Sequence, residues 1–210
     1  MGKVYCFVDG FNLYHALDAN PAYHPFKWLS LTTLAKCFVL GKDLLAGVEY
    51  FTTLATWNPA KVERHKLFIK INEAEGVKVI YGEFKRKDRR CPECGEHIRT
   101  FEEKQTDVNI AIRLFELAVQ DQYDKAIIIS GDTDLIPAVK AVQKTFPAKK
   151  VGIVLPISRA SEDLKKQVDF HHKMRIHHLE ASRFPDKVVL SESVCIECPN
   201  PWRRARAQKA

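Results

Sequence analysis

Apolar residues run without interruption over positions 4–8 and stop abruptly at Asp9-Gly10. Similar short runs recur at 48–54, 77–84, 126–129 and 151–155. Runs of this length without polar alternation predict strands buried on both faces, as in a parallel sheet. Between them lie patterns that predict helices over 31–39 after the cap candidate Ser30, then over 60–75, 108–119, 135–145 and 161–168. Strand and helix alternate almost throughout, which is the signature of an α/β fold with crossover helices.

Two segments break the rhythm. Residues 85–103 are charged and carry Cys91 and Cys94, and they are expected to form a loop inserted in the domain. From about residue 181 the chain holds Cys195, Cys198 and the basic run Arg203-Arg204-Ala205-Arg206, and is expected to be an extension packed on the domain or partly disordered. The expected organisation is therefore one domain over 1–180 followed by an extension over 181–210.

Composition narrows the class. The chain has 210 residues of which 46% are apolar, enough for the core of one domain. Lys and Arg number 33 against 26 Asp and Glu, giving a net charge of +7, which favours a polyanionic partner such as nucleic acid. The first apolar run is too short for a secretory signal, and no stretch approaches the roughly 18 apolar residues of a membrane span, so a cytoplasmic protein is expected. Six cysteines in that compartment point to metal binding or buried thiols and away from disulfides. Cys6 and Cys37 lie in apolar runs and are expected in the core.

Ligands of open parallel sheets bind beyond the carboxyl ends of the strands, so the acidic residues that follow apolar runs are the candidate chemistry. Asp9 ends the first run, with Gly10 permitting a turn and Asn12 a further polar group. Ser130-Gly131-Asp132-Thr133-Asp134 sits where strand gives way to helix, and helix capping needs only one of its carboxylates. Asp107 opens a helix whose Ala111, Leu114 and Ala118 share its face. Each alone reads as readily as a cap or a favourable charge at a helix N-terminus. Converging on one sheet mouth they would repel unless a cation lay between them, and hard Mg²⁺ or Mn²⁺ suits such ligands.

Three segments, Phe7-Val8-Asp9-Gly10-Phe11-Asn12, Glu103-Lys104-Gln105-Thr106-Asp107-Val108 and Ile129-Ser130-Gly131-Asp132-Thr133-Asp134-Leu135, resemble in order and spacing the motifs of NYN domains. These domains belong to the PIN-like nuclease superfamily, and the resemblance extends over residues 3–180. It implies a PIN-like three-layer α/β/α fold with a mainly parallel sheet, and a Mg²⁺- or Mn²⁺-dependent ribonuclease. It also implies metal-site roles for Asp9, Asp107, Asp132 and Asp134, with Asn12 and Ser130 in support. The implied reaction is hydrolysis of a phosphodiester by activated water. An RNA-binding module of the same fold with little or no catalysis is the alternative. A phosphatase of small substrates ranks third, because Asp9-Gly10-Phe11-Asn12 lacks a second Asp two residues on. RNA versus DNA, internal versus terminal cleavage, and oligomeric state, a homodimer included, are open.

Cys91-Pro92-Glu93-Cys94-Gly95 has zinc-knuckle spacing, and Cys195-Ile196-Glu197-Cys198 repeats it. Together they are candidates for a structural Zn²⁺ site, with His97 a substitute ligand; two unrelated exposed pairs are the alternative. The His171-His172 and His177-His178 doublets, read as strand residues, point to opposite faces and do not chelate as pairs. The basic clusters at 85–90 and 203–206 are candidate phosphate contacts or solvated charge. Tyr14, Phe26, Trp28 and Trp57 are candidates for stacking on unpaired bases or for core packing.

Overall fold

Along β1 (Lys3–Asp9) successive side chains enter different cores: Val4, Cys6 and Val8 pack on one face of the sheet and Phe7 on the other. A strand covered on both sides has no polar positions to alternate, which is why its sequence is a continuous apolar run. The chain then runs through α1 (Gly10–Asp18), α2 (Leu31–Lys36), β2 (Leu44–Thr52), α3 (Pro59–Ala74), β3 (Lys78–Tyr81), β4 (Glu83–Arg90), β5 (His97–Lys104) and α4 (Thr106–Val119). It continues through β6 (Lys125–Ile129), α5 (Ile136–Thr145), β7 (Lys150–Leu155), α6 (Glu162–Gln167), β8 (Phe170–Lys173), α7 (Ile176–Ser182), β9 (Lys187–Ser191) and β10 (Val194–Glu197). The computed structural model describes residues 1–90 and 93–204; Cys91, Arg206 and the side chains of Arg89 and His97, singled out above, lie outside them.

Six strands form one sheet in the order β3-β2-β1-β6-β7-β8, every neighbouring pair parallel. Leu13 and Leu17 of α1, Leu34 of α2, Phe68 of α3 and Leu179 of α7 cover one face. Ile110 and Leu114 of α4 with Val139 and Val142 of α5 cover the other. This is the three-layer α/β/α arrangement that the resemblance implies, on the α/β alternation read from the sequence. Strand order reverses between β1 and β6, so the crevice between their carboxyl ends is the topological switch point of the sheet.

The insertion is structured. In place of the expected loop, β4 and β5 pair as an antiparallel hairpin, in which Phe84 faces Glu103 and Arg86 faces Phe101. The C-terminal extension carries the β9–β10 hairpin, and Ile196 and Cys198 join the first core. Trp28, with no exposed surface, donates its indole N–H to the Pro185 carbonyl at 3.0 Å, which ties the extension to the domain. The strand reading of the second histidine doublet is corrected: His177 and His178 lie on α7, where His178 Nδ1 accepts the backbone N–H of Arg175 at the helix start.

One buried ion pair joins the layers. Glu49 of β2 has no exposed surface, and Arg113 of α4 donates to it through Nε at 3.0 Å. Tyr5 donates its hydroxyl to the same carboxylate, and Lys78 stands 3.5 Å away.

Candidate active site

Val8 pairs with Ile129, so the next residues of two parallel strands, Asp9 and Ser130, leave the sheet side by side at the switch point. Ser130 Oγ donates to Asp9 Oδ2 at 2.8 Å and accepts the Asp132 N–H at 3.0 Å. Asn12 N–H donates to Asp9 Oδ1 at 2.9 Å, and the Asn12 side-chain oxygen accepts the Gly131 N–H at 2.9 Å. Asp9 therefore does cap α1, yet each of its oxygens keeps a second lone pair for a cation. Asn12 and Ser130 act as cross-links that hold the two strand ends together. Only glycine fits at position 10, where a Cβ would come within 2.6 Å of the Phe51 carbonyl oxygen.

Asp107 arrives from the opposite side, in the first turn of α4. The hairpin delivers that turn: Glu103, near the end of β5, accepts the Thr106 N–H at 3.0 Å. Asp9, Asn12, Glu103, Asp107, Asp132 and Arg159 line one pocket of about 220 Å³. Asp134 is exposed and lies outside that lining; its N–H caps onto Asp132 Oδ1 at 3.0 Å. Asp132 thus combines capping with a place in the pocket, and Asp134 is the carboxylate left on the rim.

Sequence reasoning missed Glu103 and Arg159. Alternation held the signal for Glu103: it shares a face of β5 with Phe101 and faces Phe84, so it points inward with them. Arg159 carried none. It follows Ser158, a non-glycine residue in the left-handed region (φ 61°), in the turn after β7.

The electrostatics are those of crowded anions. Burial raises the pKa of Asp9, with the hydrogen bonds from Asn12 and Ser130 opposing and the charges of Asp132 and Glu103 adding. Asp107 is pushed up to about 6, first by burial, then by Asp9, Asp132, Glu103 and Asp134. A carboxyl whose folded pKa is raised favours folding when protonated. Its contribution is present below the ordinary carboxylate range and is lost as pH rises through about 6. Without divalent cation, the protein is thus expected to melt lower at pH 7.5 than at pH 5. Asp107→Asn should recover about 2–4 °C of that loss at pH 7.5. Equal melting shifts for variant and wild type across this range, followed by circular dichroism in EDTA, would exclude the repulsion.

The donor set, carboxylates around a polar pocket with one facing arginine, fits a hard divalent cation held partly through water. Among the described residues no three His, Cys, Asp or Glu side chains stand close enough together to hold a metal ion directly as placed. That statement extends to Cys94, Cys195 and Cys198. Cys94 and Cys195 are exposed, whereas Cys198 is buried with its thiol pushed up to about 11, chiefly by burial.

Beside the acidic pocket, and sharing Phe11 and His15 with it, lies an aromatic cavity of about 320 Å³. Tyr14 and Trp57 line it, whereas Phe26 and Trp28 are core residues. The basic cluster on the hairpin is largely neutralised locally: Lys85 pairs with Glu83, Arg86 with Asp88 and Lys87 with Glu102. Arg203 likewise pairs with Glu197. His172 and His178 pack beside Phe38, away from the acidic pocket's lining.

A family model described as NYN domain matches residues 3–175. A curated relative is the 6-hydroxy-3-succinoylpyridine 3-monooxygenase HspA of Pseudomonas putida (strain DSM 28022 / S16). It is 25% identical over an alignment 242 positions long, which covers 93% of this chain and 74% of that protein. Among solved structures, a protein of unknown function, VPA0982 from Vibrio parahaemolyticus RIMD 2210633, superposes with a TM-score of 0.56 at 19% identity. The match covers 83% of this chain and 94% of that one and speaks to the fold alone.

Proposed function

Because the chain belongs to the NYN domain family, a family of nuclease-like fold, we propose that it is a Mg²⁺- or Mn²⁺-dependent ribonuclease acting at the acidic pocket. The observation that carries this reading is the convergence of Asp9, Glu103, Asp107 and Asp132 on one pocket at the switch point, where burial and then the neighbouring carboxylates raise Asp107 to about 6. Asp9, Asp107 and Asp132 would hold the cation, with Glu103 and the rim residue Asp134 adding negative potential. A bound divalent cation supplies polarisation of a phosphoryl oxygen and a water of lowered pKa.

The chain's own groups do the rest. Ser130 and Asn12 fix the Asp9 carboxylate by hydrogen bonds to its two oxygens, so that it does not reorient as charge develops. Arg159, which lines the same pocket, offers a guanidinium to a phosphate that approaches the carboxylates. The net charge of +7 draws a polyanion to a chain whose pocket is itself acidic.

The test is cleavage of end-labelled single-stranded RNA, structured RNA and DNA by the purified chain in Mn²⁺, Mg²⁺ or EDTA. RNA cutting in either cation and none in EDTA is the expected result. Tight RNA binding with no cutting in any condition would replace the nuclease by a binding module. The name of the Pseudomonas relative supplies a second reading, chemistry on a small pyridine, which the aromatic cavity is large enough to admit.

A further inference from the structure

The aromatic cavity has features that core packing does not explain. Its volume of about 320 Å³ falls at the small end of the roughly 300–1,000 Å³ range of ligand sites. Trp57, 43% exposed, stacks on Phe101 with ring centroids 3.8 Å apart and planes 4° from parallel. Phe84 stands edge-on to Trp57 at 4.5 Å and edge-on to Phe11 at 5.4 Å. These four rings form a continuous wall from the first turn of α1 to the β4–β5 hairpin.

The lining also carries polar groups from β2 and α3. His65, hydrogen-bonded to the Tyr50 hydroxyl at 3.1 Å, makes the floor neutral, its pKa lowered to about 4 by burial. Lys61 and Arg64 of α3 also line the cavity, and among the described residues neither has a carboxylate partner. Flat apolar walls and unpaired cations match a heteroaromatic ring linked to an anionic group.

We infer that this cavity is a nucleobase subsite. It takes one unpaired base of an RNA strand, Lys61 and Arg64 contact the adjoining phosphate, and the chain passes over Phe11 into the acidic pocket. The inference rests on the nuclease reading for the strand's direction of travel, and it adds a substrate class: RNA that is single-stranded beside the cut. A base within a duplex cannot leave its stack to enter without loss of pairing.

The experiment is calorimetric titration of the full chain, in EDTA so that nothing is cleaved, with each of the four nucleoside 5′-monophosphates and with pyridine-3-carboxylate. At least one mononucleotide is expected to bind. Trp57→Ala should weaken it by roughly 5- to 150-fold, the range of base–aromatic stacking. Lys61→Ala, at an exposed position, removes one phosphate contact and should weaken it by about 2- to 10-fold. Binding untouched by both variants, or no binding at all, overturns the proposal. Binding of pyridine-3-carboxylate without any mononucleotide overturns it in favour of a free heteroaromatic acid.

Cleavage of RNA oligonucleotides with one abasic nucleotide placed at successive positions separates the two readings. Slower cutting when the abasic position lies at one fixed offset from the cut supports the subsite. Normal cutting at every placement overturns the subsite and leaves the nuclease. Mononucleotide binding without any cutting supports the subsite and overturns the nuclease.

Discussion

Asp9→Asn is expected to lower kcat/KM on labelled RNA in Mn²⁺ by roughly 10²–10³-fold, the equivalent of about 3–4 kcal/mol of transition-state stabilisation. The variant isolates charge from structure. Asn is as good a helix cap as Asp, and its side-chain oxygen still accepts the Asn12 N–H that Asp9 accepts at 2.9 Å. Removing one of several crowded anions also relieves repulsion on Asp107. The variant should therefore melt no lower than wild type in EDTA, while its gain in melting temperature on adding Mn²⁺ shrinks. Activity within tenfold of wild type, with the same Mn²⁺ stabilisation, would remove Asp9 from the mechanism.

Arg113→Met is expected to be the most destabilising single change among the charged residues, at about 3 kcal/mol or more. It leaves Glu49, with no exposed surface, facing only Tyr5 and the more distant Lys78. At roughly 2–4 °C per kcal/mol for a chain of this size, melting should fall by about 6–12 °C. Glu49→Gln in the same chain should recover part of that fall, because the cost lies in the orphaned charge and not in the lost guanidinium. A single variant that melts within about 2 °C of wild type would show that solvent reaches Glu49 and screens it. Because Arg113 lies on the same helix as Asp107, a loosened α4 should also weaken Mn²⁺ binding in this variant.

The parallel core was legible because strands covered on both faces write themselves as unbroken apolar runs, and β1, β6 and β7 all do so. What escaped is short or one-sided. β8 is Phe-His-His-Lys, an edge strand whose polar residues give no strand pattern, and α7 buries only Leu179 and Ser182. The hairpin was hidden because its alternation is carried by two aromatic residues among many charges, Phe84 on one strand and Phe101 on the other. At the site, Asp9, Asp107 and Asp132 could be named from their places at element ends. Asp134 stands in the same motif yet points outward, because the turn Thr133–Leu135 aims its backbone, and not its carboxylate, at Asp132. Arg159 depends on the backbone turn at Ser158, which no residue pattern announces.

The pairing of β1 with β6 also sets a schedule. Asp9 belongs to the earliest strand of the chain and meets Ser130 only after a separation of 121 residues. Contacts of such sequence distance form late, since the intervening segment must be ordered before they can close. During synthesis, β1, β2, β3 and the hairpin emerge while the place beside β1 is still vacant, with Asp9 fastened by Asn12 alone. The acidic pocket therefore comes into being only once β6 and the turn after it have been made, and until then the chain carries these carboxylates apart.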